Sequence, residues 1–228
     1  MVTIASNLQA VRTRIERAAH AAGRHAGAIE LVAVSKTFPA GSIEQAYAAG
    51  QQAFGENFAQ EAVEKITRLG HLPLVWHFLG PIQSNKTTLI ATQFQWVHSV
   101  EREKIVQRLN AARPEGLPPL NVCIQVNVSG EATKSGVGSE DAARLADAVA
   151  RLPRLRLRGL MAIPEPTSDT ALQRQRFALL RELKDQLAAR GHALDTLSMG
   201  MSDDLEAAIA EGATIVRVGT AIFGSRKK

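Results

Sequence analysis

The side chains able to do chemistry cluster at the ends of short apolar runs. Lys36 closes Leu31-Val32-Ala33-Val34-Ser35, and strand alternation places it on the face of Val32 and Val34. A lysine amine held in an apolar mouth is more readily neutral and can attack an aldehyde or ketone to form a Schiff base. The plainer alternative is a strand-end lysine reaching solvent. Arg217 lies inside Ile215-Val216-Arg217-Val218-Gly219. An always-charged guanidinium in an apolar strand needs a fixed partner, either a carboxylate or a ligand. Ser198-Met199-Gly200-Met201-Ser202 and Gly219-Thr220 supply small residues, hydroxyls and backbone N–H groups of the kind that hold phosphate, and Ser202 is placed to cap a following helix. Each loop taken alone reads equally as turn chemistry.

Other candidates carry less. His77 in Trp76-His77-Phe78 and His98 in Trp96-Val97-His98 are of a type that binds metal or passes protons, but neither has a neighbouring carboxylate at metal-motif spacing. They read as packed or hydrogen-bonded core histidines, and no metal site is expected. Tyr47, the one tyrosine, lies at helical spacing from Ile43 and reads as a packing residue. The one cysteine, Cys123, falls inside Val122-Cys123-Ile124, which excludes an intrachain disulfide and a multi-cysteine metal site. A cytoplasmic location is the expectation.

These groups must be positioned by the elements around them. Short apolar runs alternate with longer helical patterns, and the runs are Glu30 to Ser35, Gln52 to Gly55, Val75 to Leu79, Gln95 to Ser99, Asn121 to Val128, Arg156 to Ile163, Thr196 to Met199 and Thr214 to Val218. Helical patterns fill residues 42–50, 57–69, 83–92, 101–112, 139–151, 168–190 and 202–211. An amphipathic helix precedes them all, with Ile4, Leu8, Val11 and Ile15 at helical spacing. Ser42 with Gln45 has the form of a capping pair, and Gly50, Gly70, Gly191 and Gly212 stand where left-handed C-cap glycines are common. Strands joined by helical crossovers run parallel. Eight of them close into a (β/α)8 TIM barrel, typically of about 250 residues. The competing arrangement, a doubly wound open sheet, usually carries a Gly-rich turn after its first strand, where this chain has Ser35-Lys36-Thr37-Phe38-Pro39. The nearest thing to a linker is the short Pro-rich loop Arg113 to Leu120, so one domain over residues 1–228 is expected. Barrels of this kind keep their chemistry in the loops after the strands. Lys36, Asn57, the Ser198–Ser202 segment and Gly219-Thr220 all fall there.

Composition narrows the function classes. With 45% hydrophobic and 21% charged residues, the chain is neither disordered nor membrane-embedded, and its apolar runs are too short to span a bilayer. The N-terminus lacks a basic-then-apolar signal, so the mature chain is expected to start near Met1. A net charge of +5 and a pI near 9.7 favour anionic ligands. The densest basic stretch, Arg151 to Arg158, alternates Arg154, Arg156 and Arg158 with Leu155 and Leu157. It has no interleaved aromatic residues to stack bases, and reads as the polar face of a strand rather than a nucleic-acid site.

Read as a set, Val32-Ala33-Val34-Ser35-Lys36, Phe54-Gly55-Glu56-Asn57, His77 to Lys86, Gln125-Val126-Asn127, Lys134-Ser135-Gly136, Arg158-Gly159-Leu160-Met161, Ser198 to Asp204 and Arg217 to Gly224 resemble the YggS/PROSC family of pyridoxal 5′-phosphate-binding homeostasis proteins, almost end to end. The resemblance implies a barrel similar to the N-terminal domain of alanine racemase, with an extra N-terminal helix and with pyridoxal 5′-phosphate joined to Lys36 as a Schiff base. It implies phosphate held between two loops, through Ser198, Met201, Ser202, Gly219 and Thr220, with Arg217 facing the pyridine nitrogen and Asn57 lining the pocket. An arginine at that nitrogen disfavours its protonation, so the ring is a weaker electron sink than one facing a carboxylate. Alanine racemases add a C-terminal domain that supplies a tyrosine as second base, whereas here eight residues follow Thr220. The expectation is a binding protein without turnover that buffers, protects or delivers the cofactor and so influences vitamin B6 and amino-acid balance. The expected partners are the cofactor itself and apo forms of the enzymes that use it, not nucleic acid or membrane, with the chain a monomer or weak homodimer. A minimal amino-acid racemase is the alternative function. Lys134 reads as a solvated loop lysine, with a second aldehyde contact as the alternative its family segment implies, and Phe38 stands where many relatives have a second lysine.

Overall fold

The computed structural model describes residues 3–129 and 135–225, so Lys134 lies outside the described residues. Eight parallel strands follow one another around a closed barrel, each hydrogen-bonded to the next and the last to the first. They are β1 (Glu30–Val34), β2 (Ala53–Glu56), β3 (Val75–Phe78), β4 (Trp96–Val100), β5 (Leu120–Gln125), β6 (Leu155–Met161), β7 (Thr196–Ser198) and β8 (Ile215–Val218). Helix α1 (Ile4–Ala21) precedes the barrel. The crossovers carry α2 (Ala40–Ala48), α3 (Ala59–Arg68), α4 (Thr87–Gln93), α5 (Glu103–Ala112), α6 (Ser139–Ala150), α7 (Thr170–Ala189) and α8 (Leu205–Ala210), and α9 (Thr220–Phe223) follows β8. The TIM-barrel expectation holds, and each predicted apolar run overlaps one strand, with β2 and β4 ending one residue later and β5 and β6 starting one residue earlier than expected.

Strands buried on both faces explain why the runs are nearly continuous in apolar residues. Outward side chains such as Ala33, Phe54, Phe78, Val97 and Val216 join the helices in one large core. Val32, Ala53, Leu79, Trp96, Cys123, Met161 and Ile215 form a second, smaller core along the barrel axis. Burial pushes the Cys123 thiol up to about 12, so it is an inert core residue. Toward the end where the strands begin, Arg158 forks onto Asp195 at 2.8 Å, reaches Asn121 at 3.1 Å and lies 4.6 Å from the Trp96 ring centroid. Arg154 pairs with Glu115. Two arginines of the basic stretch are thus engaged within the fold, leaving Arg151 and Arg156 exposed.

Several local expectations are corrected. Helix α2 begins at Ala40 behind Pro39, whose fixed φ of −71° sets the entry, so Ser42 lies inside the first turn and caps nothing. Helix α8 begins at Leu205 with Asp204 at its N-cap, so Ser202 is a loop residue rather than a cap. Residues 84–86 form a 3-10 turn ahead of α4. Gly50, Gly191 and Gly212 are left-handed as expected, whereas Gly70 is not. Strand β5 stops at Gln125, beyond which Val126 makes one isolated bridge to Val137.

Candidate functional site

The turn that leaves β1 sets the site. Ser35 is anchored outward, its hydroxyl donating to Glu56 Oε1 at 2.6 Å and its carbonyl accepting from Lys65 Nζ at 2.9 Å. Val32 belongs to the axial core and Val34 packs against it, so alternation gives Lys36 the next inward position. Lys36 is half-buried. The Phe38 N–H closes a turn onto the Ser35 carbonyl at 3.1 Å, with Lys36 and Thr37 at its tip. Phe38 packs its ring 5.1 Å from that of Phe223 and so joins this turn to α9.

The register of β1 on β8 brings the other predicted residues alongside. Val32 pairs with Arg217 and Ala33 with Val218, which sets Gly219 next to Val34. A Cβ at Gly219 would stand 3.1 Å from the Val34 carbonyl oxygen, so only glycine allows this approach without displacement. Gly200 lies in the left-handed region at φ +94°, and its carbonyl accepts the Arg217 N–H at 2.9 Å, linking the β7 loop to β8. Helix α1 grips both loops from outside. Arg14 donates to the Ser202 carbonyl at 2.9 Å while pairing with Glu206, and the Asn7 amide donates to the Ile222 carbonyl at 2.9 Å. No sequence signal marks this role, since Arg14 and Asn7 read only as the polar face of an amphipathic helix.

Arg217 is buried at 4% exposure, and its partners are neutral: Ser198 Oγ at 2.7 Å and the Ala162 carbonyl at 2.9 Å. Of the two partners expected from sequence, a carboxylate is absent from its contacts among the described residues. Burial lowers its pKa to about 10, with Asp204 opposing that shift, so it stays a cation at neutral pH. Ser198 passes the interaction on to His98 Nδ1 at 2.7 Å, and His98 Nε2 lies 2.9 Å from His77 Nδ1. His77 stacks on Trp96 at 5.5 Å, the ring that Arg158 meets from its own strand. A continuous column therefore runs along the barrel from Arg158 to Arg217. Burial holds His77 at about 3 and, with His77 and Arg217 nearby, holds His98 well below the usual imidazole value. Both rings are neutral at pH 7. Arg217 donates to Ser198, the direction of the two contacts beyond it follows the tautomers of the two rings, and His77 Nε2 is buried with no hydrogen-bond partner among the described residues. The histidines expected to be core residues are so, and they also orient the arginine.

The remaining predicted residues lie at the ends of strands or in the loops that follow them. Asn57 lies just beyond β2, half-buried, and its carbonyl is so close to Gly80 that a Cβ there would come within 2.1 Å. Met201 and Ser202 are half-buried in the β7 loop, and the Met201 N–H is taken by Asp204 Oδ1 at 2.6 Å. Ser198 is fully buried with its hydroxyl between Arg217 and His98, so it belongs to the arginine's support rather than to the loop surface. Thr220 is exposed at the start of α9. A cavity of about 600 Å³ opens beside the β7 loop, lined by Met201, Asp204, Pro164, Thr167 and Gln173 among others. No group of three or more metal-binding side chains occurs among the described residues, and no described helix is long and apolar enough to cross a membrane.

Residues 6–227 match the family model of the alanine racemase N-terminal domain. The chain is 63% identical over 226 residues to the pyridoxal phosphate homeostasis protein of Pseudomonas aeruginosa, covering 99% of this chain and 97% of that one. It is 53% identical over 232 residues to the protein of the same name from Escherichia coli K12, covering 99% and 98%. The chain belongs to the family of pyridoxal phosphate homeostasis proteins. Among solved structures, the family member PipY of Synechococcus elongatus, determined with pyridoxal phosphate bound, is 36% identical with a TM-score of 0.85, covering 97% of this chain and all of that one. Alanine racemase from Bacillus anthracis shares the fold at 17% identity and a TM-score of 0.71, with 97% of this chain matched to 57% of the racemase. The family resemblance read from the ordered segments is thereby confirmed, and so is the barrel shared with alanine racemase.

Proposed function

We propose that this chain binds pyridoxal 5′-phosphate reversibly, as a Schiff base on Lys36, and holds it as a cytoplasmic store for intracellular vitamin B6 and amino-acid balance, without catalytic turnover. The observation that carries the reading is the meeting of the Lys36 turn with the small-residue loops of β7 and β8 around a buried arginine. A relative that is 36% identical and was crystallised with the cofactor supports it. The residues fit the group. A close-approach glycine at 219, hydroxyls at Ser202 and Thr220, an amine at Lys36 and a buried cation with neutral partners suit a phosphorylated aromatic aldehyde.

Bound there, the cofactor supplies an aldehyde that condenses with an amine. Lys36 provides the amine, and its hydrogens leave with the aldehyde oxygen as one water, so the linkage is reversible by hydrolysis or exchange. Ser202, Gly219 and Thr220, with Met201 beside them, hold the phosphate. Asn57 would line the pocket. Arg217, kept in place by Ser198 and the Ala162 carbonyl, would face the pyridine nitrogen and would discourage a proton from settling there. That arrangement retains the cofactor while withholding the strong electron sink on which amino-acid chemistry depends. The whole role falls to one unit spanning residues 1–228, with apo-enzymes as recipients.

The test is to load the protein with one equivalent of pyridoxal phosphate and incubate it with L- and D-amino acids in deuterated water. Stoichiometric binding without exchange of the α-proton is the expected result. Steady α-proton exchange lost in Lys36→Ala would replace this reading with that of a minimal racemase.

A further inference from the structure

Beneath the Lys36 turn lies a buried ion cluster that cofactor binding itself does not use. Lys65 of α3 is 6% exposed, and its ammonium uses its three N–H bonds on the Ser35 carbonyl at 2.9 Å, Glu56 Oε1 at 2.8 Å and Glu61 Oε1 at 2.6 Å. Glu56 Oε1 also accepts the Ser35 hydroxyl at 2.6 Å, and Glu61 Oε1 also accepts the Thr37 N–H at 2.6 Å. The residues on both sides of Lys36 are therefore tied to one ammonium and its two carboxylates.

One carboxylate would suffice to neutralise Lys65, yet two surround it, and Glu56 Oε2 remains buried without a hydrogen bond among the described residues. The second carboxylate does something else: it holds Thr37 in the left-handed region at φ +69°, the single such non-glycine residue among those described. A β-branched residue is costly in that conformation and persists there only when its surroundings impose it. Thr37 is exposed, so packing does not impose it. The turn closed by the Phe38 N–H on the Ser35 carbonyl puts Thr37 at its third position, where type II turns need a positive φ, and a short charge-assisted hydrogen bond from the Thr37 N–H to Glu61 holds that turn in place.

We propose that Glu56, Lys65 and Glu61 are positioning residues that fix the turn on both sides of Lys36 and so set how readily its amine condenses with a bound aldehyde. The proposal rests on Lys36 being the lysine that takes the cofactor. In the condensation a carbon–nitrogen double bond forms at Lys36 Nζ, and the aldehyde oxygen departs as water with the two amine hydrogens. The cluster touches none of the reacting atoms. Its contribution is to remove the search for the reactive geometry, because the peptide units before and after Lys36 are held from outside the barrel.

Glu61 is the partly exposed member, with its side chain 31% accessible, so its substitution leaves the buried Glu56–Lys65 pair intact. The rate of adduct formation is measured by mixing with pyridoxal phosphate, quenching with borohydride at intervals and quantifying the Lys36 peptide by mass. Glu61→Ala is expected to form the adduct about tenfold more slowly, the scale of one charge-assisted hydrogen bond. Glu61→Gln, which keeps an acceptor for the Thr37 N–H, is expected to recover most of the rate. In a Lys36→Ala background, equilibrium dialysis is expected to give the same affinity with and without the Glu61→Ala substitution, because the cluster acts only through Lys36. An unchanged rate in Glu61→Ala, or an equal weakening in both backgrounds, overturns the positioning role while the Lys36 assignment stands. A wild-type protein that binds the cofactor but yields no Lys36 adduct overturns both.

Discussion

Acid should destabilise this fold through two residues in particular. His77 and His98 are fully buried and held neutral, His77 at about 3 against an ordinary value of 6.5, and His98 well below it. Their folded values are depressed, so the unfolded chain takes up protons that the folded chain refuses. The stability they contribute is complete above pH 6.5 and is lost as the pH falls toward 3. Between pH 7 and pH 5, protonation of a histidine held at about 3 in the fold favours the unfolded chain by about 2 kcal/mol, and His98 acts in the same direction. Glu30, Glu56 and Asp204 have values raised by burial and act in the opposite sense, with stability lost as the pH rises through them. They are unchanged by substitution of the histidines, so a comparison of variants removes them. Urea unfolding of the cofactor-free protein at pH 7 and pH 5 gives the wild-type difference, and the same pair of curves for His77→Gln with His98→Gln gives the background. The wild type should lose at least about 2 kcal/mol more than the double variant over that interval, and His77→Gln alone should remove part of the excess. Equal losses in wild type and double variant would refute the assignment of both rings as neutral groups inside a closed column.

The same geometry sets three further outcomes. Arg217→Gln should leave the cofactor-free protein within about 1 kcal/mol of wild type by denaturant unfolding, since a buried cation without a carboxylate is itself costly, while weakening pyridoxal phosphate binding measured by dialysis. A large loss of stability with unchanged binding would place Arg217 in the structure rather than in the site. Arg14→Ala should cost no more than about 1 kcal/mol, because its ion pair with Glu206 is solvent-screened, yet should raise the inhibition constant of inorganic phosphate as a competitor by loosening the Ser202 loop. Gly80→Ala should destabilise by on the order of 3 kcal/mol, since the added methyl would sit 2.1 Å from the Asn57 carbonyl oxygen and neither backbone can yield cheaply; an ordinary surface-like effect in thermal unfolding would contradict that packing.

The barrel is legible in the sequence because its signal is collective. Eight apolar runs of strand length, separated by helical patterns, leave little choice of closure, and an error of two residues at any boundary does not change the count. Local details are less legible. Ser42 has the form of a cap, but Pro39 fixes the helix entry three residues earlier. Ser202 has that form too, but Asp204 takes the position and turns its carboxylate back onto the Met201 N–H. At the site, Lys36 and Arg217 stand out because a charge at the end of an apolar strand, or inside one, is itself anomalous. Their supports do not. Lys65 and Glu61 form an ordinary i,i+4 pair on a helix surface in the sequence, and only the fold reveals that the pair is turned inward under Lys36. Ser198, His98 and His77 come from three strands spread over more than a hundred residues, and no spacing rule connects them. Ser198 is expected at the phosphate from the resemblance, and the contacts of its hydroxyl with His98 and Arg217 are not legible because they depend on which face of a three-residue strand it occupies.

Whether Lys36 carries the cofactor is tested most directly by the visible absorption spectrum of the purified protein with pyridoxal phosphate, followed by borohydride reduction and peptide mapping, with Lys36→Ala in parallel. A Schiff-base absorption band and a single reduced adduct on the peptide containing Lys36 are expected in the wild type, and neither in the variant. An adduct on another lysine, or a band of equal strength in Lys36→Ala, would contradict the assignment.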